Sequence, residues 1–227
     1  MPNRAEPAEP PQVQNTSEPH WPASLAVLVA LSLYVTLPDL LLVGPKWILA
    51  ALELALLIPL TLHSPHRRYG DPPWVRATSV TLIALINVAN IAALVLLIHY
   101  LLIGGHQDPN QGRMLILSSV QIWLTNVLIF GLWYWELDRG GPTGRTAANQ
   151  RHADFMFPQM SNPNLAPPQW RPNFIDYLYI SVTNATAFSP TDTMPLSRIA
   201  KSLMTVQSVA SLLTVALVAA RAVNILS

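Results

Sequence analysis

Five apolar runs, at about residues 22–37, 47–62, 74–103, 114–137 and 196–226, constrain this chain more than any other feature. A bilayer core of about 30 Å takes roughly 20 helical residues. The first two runs are short by that measure unless they extend through 40–43 or form a tight hairpin. Pro38-Asp39 and Gly44-Pro45 break the helices between them, since proline lacks an N–H and clashes with the preceding turn. Trp21, Trp47, Trp74, Trp123, Trp133 and Trp135 mostly fall near segment ends, where the membrane interface favours an amphipathic ring. With 51% hydrophobic and 11% charged residues and a mean hydropathy of +0.34, the composition is too apolar for an ordinary soluble domain. The expected class is an all-α integral membrane protein of about five transmembrane helices in a lipid bilayer, with a bacterial inner membrane as the expected location.

Residues 1–20 are rich in Pro and Glu and have no apolar run. Such a segment buries too little surface to order itself, and it is read as a disordered tail. About twenty polar residues precede the first apolar run, unlike the layout of a secretory signal, so that run is expected to be retained. Residues 21–112 then form N-terminal membrane helices, and 113–227 a second unit. There is no cysteine, which excludes a disulfide framework and thiolate metal sites. A net charge of +1 with scattered basic residues gives no sign of a nucleic-acid partner.

Within the second unit, a short apolar helix is expected from Phe174 to about Val182, followed by a Thr/Asn/Ser/Pro stretch and then the last long run. A half-length helix beside a full-length one is the outline of a re-entrant loop. Irregular backbone at membrane depth survives only where protein or a water-filled cavity satisfies it. Residues 176–192, DYLYISVTNATAFSPTD, resemble the pore helix and selectivity filter of the tetrameric potassium-channel superfamily, whose typical pattern is DALYFSVVTLTTVGYGD. Asp176, Leu178, Tyr179, Ser181, Val182, Thr186 and Asp192 match that pattern without a gap. Pro195-Leu196-Ser197-Arg198 is similar to the opening of the family's inner helix, and residues 217–221 to its end. The resemblance implies an outer helix at 114–137, a re-entrant pore helix and loop, an inner helix, and a homotetramer. It also implies that Glu136 and Asp176 brace the pore helix.

The filter itself departs from the family. Where the pattern has TTVGYGD, this chain has Thr186, Ala187, Phe188, Ser189, Pro190, Thr191 and Asp192. Both glycines and the tyrosine are replaced. Those glycines let successive carbonyls point at an ion, in backbone conformations that a Cβ resists, and Pro190 fixes φ near −65°. Potassium selectivity by a stack of carbonyl oxygens is therefore not expected, although inorganic ions remain possible partners.

Thr183, Asn184, Thr186, Phe188, Ser189, Pro190, Thr191 and Asp192 are the pore- or filter-like set. One reading makes the polar members line a narrow opening, with Asp192 as a ring of charge at its mouth. The other has them cap helices and satisfy backbone locally. On the last helix, Ser202, Thr205, Ser208, Ser211 and Thr214 are expected to form a hydroxyl stripe. Glu53 and His99 are ionisable residues in or near apolar runs, which a small-solute transporter could use. Asn87, Asn90, Gln121, Thr125 and Asn126 are expected to make interhelical hydrogen bonds. The pair His63 and His66 flanks Ser64-Pro65, where proline disrupts a shared helical face, so no metal is expected. No phosphate-binding Gly-rich loop, nucleophile elbow or paired carboxylate occurs, so neither an enzyme nor a cofactor is expected. The three function classes are thus a channel-like protein, a non-conducting scaffold that retains the pore fold, and a transporter.

Orientation sets two arguments against each other. If all five segments cross, ten basic residues (Arg4, Arg67, Arg68, Arg76, Arg139, Arg145, Arg151, Arg171, Arg198, Lys201) fall on one side, and Lys46, Arg113 and Arg221 on the other. The positive-inside rule puts the richer side, and with it the re-entrant loop, in the cytoplasm. Potassium channels have that loop outside, whereas the related ionotropic glutamate receptors mount it the other way. The charge bias is the orientation taken here.

Overall fold

The computed structural model describes residues 21–45, 47–48, 50–52, 54–55, 73–103, 109–146, 151–162, 164, 166–167, 170–186 and 192–226. Five helices dominate them: α1 (Trp21–Val35), α2 (Pro73–Ile103), α3 (Pro109–Leu137), α4 (Phe174–Thr186) and α5 (Arg198–Leu226). Residues 47–55 are helical wherever they are described. Three stretches, Trp74–Leu102, Gly112–Arg145 and Arg198–Ala220, are long and apolar enough to cross a membrane. This is what an integral membrane protein requires.

Each helix is apolar on more than one face. In α1 the buried positions Ala23, Ala26, Val27, Ala30, Leu31 and Tyr34 follow helical spacing, yet Leu25, Leu28 and Val29 on the other side are exposed. A helix apolar all round fits hydrocarbon on its outer face. The outer side of α5, with Val206, Val209, Leu212 and Leu213 exposed, repeats the pattern.

The central element is α3, which packs against α1, α2, α4 and α5. It comes close to α4 at Gly131, where a Cβ would lie 3.3 Å from both Cα and Cδ1 of Leu178. A small residue at that point lets the two backbones come together. The chain then turns sharply past α3: Arg139, Gly140 and Gly141 all have positive φ (55°, 87° and 88°), which glycine adopts without the Cβ penalty.

The linker that follows is more ordered than its proline content suggests. It forms short helices at Gly141–Thr146 and Pro158–Ser161, and a strand, β1 (Phe155–Met156), paired antiparallel with β2 (Met194–Pro195). Phe155 and Phe157 are buried. They stack edge-on against Tyr134, Tyr177 and Trp170 and close the end of the hydrophobic core, because large rings gain most from burial where several elements converge.

The hydroxyls of α5 also divide differently from the expected stripe. Residues facing inward are Ala200, Gln207, Ser211 and Thr214, while Ser202 and Thr205 are exposed. A strict spacing of three drifts by about 60° per step around a 3.6-residue helix, so five such positions cannot share a face.

Candidate functional site: a polar lock between three helices

Helix α4 opens with reciprocal capping. The Asn173 side-chain oxygen accepts from the Ile175 N–H at 2.8 Å, and Asp176 accepts from the Asn173 N–H at 2.7 Å. Both bonds satisfy donors that a helix start leaves without partners. This places Asp176 at the cap of its own helix. Glu136 lies buried near the end of α3, 3.8 Å from the Arg76 guanidinium.

A carboxylate hydrogen-bonded to α4 is Asp138, two residues beyond Glu136. Asp138 is fully buried. Its Oδ2 accepts from the Tyr177 hydroxyl at 2.6 Å, and its Oδ1 from the N–H groups of Asp154 at 2.7 Å and Phe155 at 3.4 Å. One side chain therefore ties the end of α3, the start of α4 and β1 together. Arg145, also buried, donates to the carbonyls of Trp135 and Asp138 and lies 5.0 Å from the Tyr177 ring centre. The rings and carbonyls stabilise its charge where water is excluded.

Deeper in the bundle the polar side chains of α4 meet α3 and α5. The Ser181 hydroxyl donates to the Val127 carbonyl of α3 at 2.6 Å. Gln207 of α5, fully buried, donates from its amide to the Ser181 carbonyl and hydroxyl at 2.9 and 2.7 Å. Its oxygen accepts from the Tyr134 hydroxyl and from Asn184 at 2.8 Å. Asn184 also donates to the Met204 carbonyl and accepts from Ser208. One turn further along α5, Asn126 donates to the Ser211 hydroxyl at 2.8 Å. All four hydrogen-bonding positions of the Gln207 amide are filled.

Of the filter-like set, Thr183 and Thr186 donate back to carbonyls of their own helix, Asn184 joins the network, and Asp192 is exposed. Phe188, Ser189, Pro190 and Thr191 lie outside the described residues, as do Glu53, His63 and His66. His99 is exposed near the end of α2, edge-on to Tyr100. Among the expected interhelical donors, Asn126 bonds α5 and Gln121 bonds Thr36 beyond α1, whereas Thr125 bonds within its own helix. The residues that reading by motif missed are Tyr134, Asp138, Ser181 and Gln207. An amide at the middle of an otherwise apolar helix was the available signal for Gln207.

No protein-family model, curated protein or solved structure matches this chain. The polar network fixes the depth and rotation of α4 between two long helices.

Proposed function

We propose that the chain is a channel-like integral membrane protein in which α3 is an outer helix, α4 a re-entrant half-length helix and α5 an inner helix. In this reading four copies bring the segment after α4 to a common axis. The observation that carries it is the return of the chain to the level at which α4 starts. The start of α4 is tied to the end of α3 through Tyr177 and Asp138, and its far end, at Asn184, meets the middle of α5. Only a few residues later Met194–Pro195 pairs with β1, whose neighbour Asp154 is itself bonded to Asp138. A helix of 13 residues spans about 20 Å, short of a bilayer core of about 30 Å. Helix α5 then leaves from that same level and runs antiparallel to α3, as the Gln207–Tyr134 and Ser211–Asn126 pairs require.

A non-conducting scaffold with the same helices is favoured by a different observation. The polar groups of α4 that a lumen would use are spent on α3 and α5 within one chain, leaving the outer side of α5 apolar. Conduction separates the two readings. The full chain reconstituted in liposomes, with its oligomeric state verified, should pass cations under an imposed gradient without preferring potassium over sodium. A verified tetramer silent to every cation and anion tried would refute conduction and leave the scaffold. The re-entrant geometry has its own test: single cysteines at Asn162 and Asp192 should react with an impermeant maleimide from the same side of the membrane. Reaction from opposite sides would make α4 a crossing and remove the basis of both readings.

A further inference from the structure

We propose that Arg76 and Arg151 form a two-guanidinium clamp beside Gly140 that takes a phosphate group at the membrane surface. Arg76 lies in the first turn of α2, two residues after the exposed Trp74, and Gly140 closes the short 3-10 turn that follows α3. Both are helix ends, at the depth where headgroups meet the protein. The position a Cβ would take on Gly140 is 3.6 Å from Nη1 of Arg76 and 3.7 Å from Nε of Arg151. Two like charges are thus held within about 7 Å of each other, an arrangement that repels unless an anion sits between them. With no side chain at Gly140, no Cβ fills the space between them.

The nearby carboxylates neutralise the pair only in part. Glu136 forms an ion pair with Arg76 at 3.8 Å, which leaves one of the two positive charges uncompensated; that distance is too long for a hydrogen bond, and the Arg76 Nε is buried with no hydrogen-bond partner among the described residues. Asp138 already accepts from Tyr177, Asp154 and Phe155, and Asp154 accepts from the Arg139 backbone. The Arg139 guanidinium turns toward the sulfur of Met160, and Arg145 is bound to carbonyls. Among the described residues, Arg76 and Arg151 make no side-chain hydrogen bond, and Nη1 of Arg76 and Nε of Arg151 lie beside Gly140. Planar guanidinium forks match the oxygens of a phosphate, which accepts two at once. A phosphate at this depth belongs to an anionic lipid of the arginine-rich leaflet or to a soluble phosphate ligand.

The test uses the full chain in nanodiscs of phosphatidylcholine alone or mixed with phosphatidylglycerol, with bound lipids counted by native mass spectrometry. The wild type should retain phosphatidylglycerol over phosphatidylcholine, and Arg151→Gln should lose about tenfold in that preference, as expected for one charge-assisted contact. Arg151 is exposed, so this variant folds even if Arg76→Gln does not. Arg171→Gln and Arg198→Gln, also exposed and on the same side, should retain the preference. In phosphatidylcholine nanodiscs, a saturable rise in melting temperature with inorganic phosphate that Arg151→Gln abolishes would assign the clamp to a soluble phosphate. The proposal is overturned if Arg151→Gln changes neither readout, or if the control variants lose as much as it does, which would mean diffuse surface charge.

Discussion

Replacing Gln207 by methionine removes the node of the buried network while nearly conserving volume. The Ser181 hydroxyl keeps its bond to Val127, and Asn184 keeps the Met204 carbonyl. The Tyr134 hydroxyl, fully buried, loses the acceptor it donates to. A buried donor left without a partner costs about 1–3 kcal/mol. Interhelical hydrogen bonds in membranes contribute about 0.6 kcal/mol each on average, so the expected total is about 2–4 kcal/mol. In a Tyr134→Phe background no hydroxyl is stranded, and the same substitution should cost only about 1–2 kcal/mol. Unfolding in mixed micelles with increasing dodecyl sulfate, followed by tryptophan fluorescence, measures all four corners of the cycle. If Gln207→Met stays within about 0.5 kcal/mol of wild type, or the two substitutions simply add to that precision, the network does not hold α4 in place.

Asp138→Asn should cost about 2–3 kcal/mol, because an amide must turn its NH2 toward one of the donors that the carboxylate now accepts; limited proteolysis should show faster cleavage within 147–170. Gly131→Val pushes on the Leu178 backbone and should lose about 1–3 kcal/mol in the same micelle titration, whereas unchanged stability would mean that α3 and α4 do not pack as closely as described. Arg145→Lys keeps the charge but loses the planar guanidinium whose Nη1 bonds two carbonyls and which lies over Tyr177; it should lower the melting temperature, and a melting temperature equal to wild type would contradict the role given to that side chain. For orientation, an impermeant maleimide added to intact cells should label Gln107→Cys and spare Asn162→Cys, with the arginine-rich side in the cytoplasm; the reverse pattern would mean that the charge bias does not govern this protein.

The membrane class and the approximate course of the long helices were legible in the sequence, because runs of apolar residues near twenty long have few places to go other than a bilayer. So was a short helix beginning at Phe174, whose Asn173 and Asp176 cap it through bonds three residues apart or less. Local rules of this kind need only neighbouring residues. That Asp138 bonds to α4 was not legible: it lies just past the end of α3, and only the turn at Gly140-Gly141 and the return of β1 put it against Tyr177. The partners of Gln207 lie 26 and 73 residues away, and no periodicity within α5 records them. Sequence determined which segments are apolar enough to enter a membrane and where each helix can begin. Tertiary structure alone decided which buried polar groups meet, because a polar group out of water must find a partner wherever the fold brings one within about 3 Å.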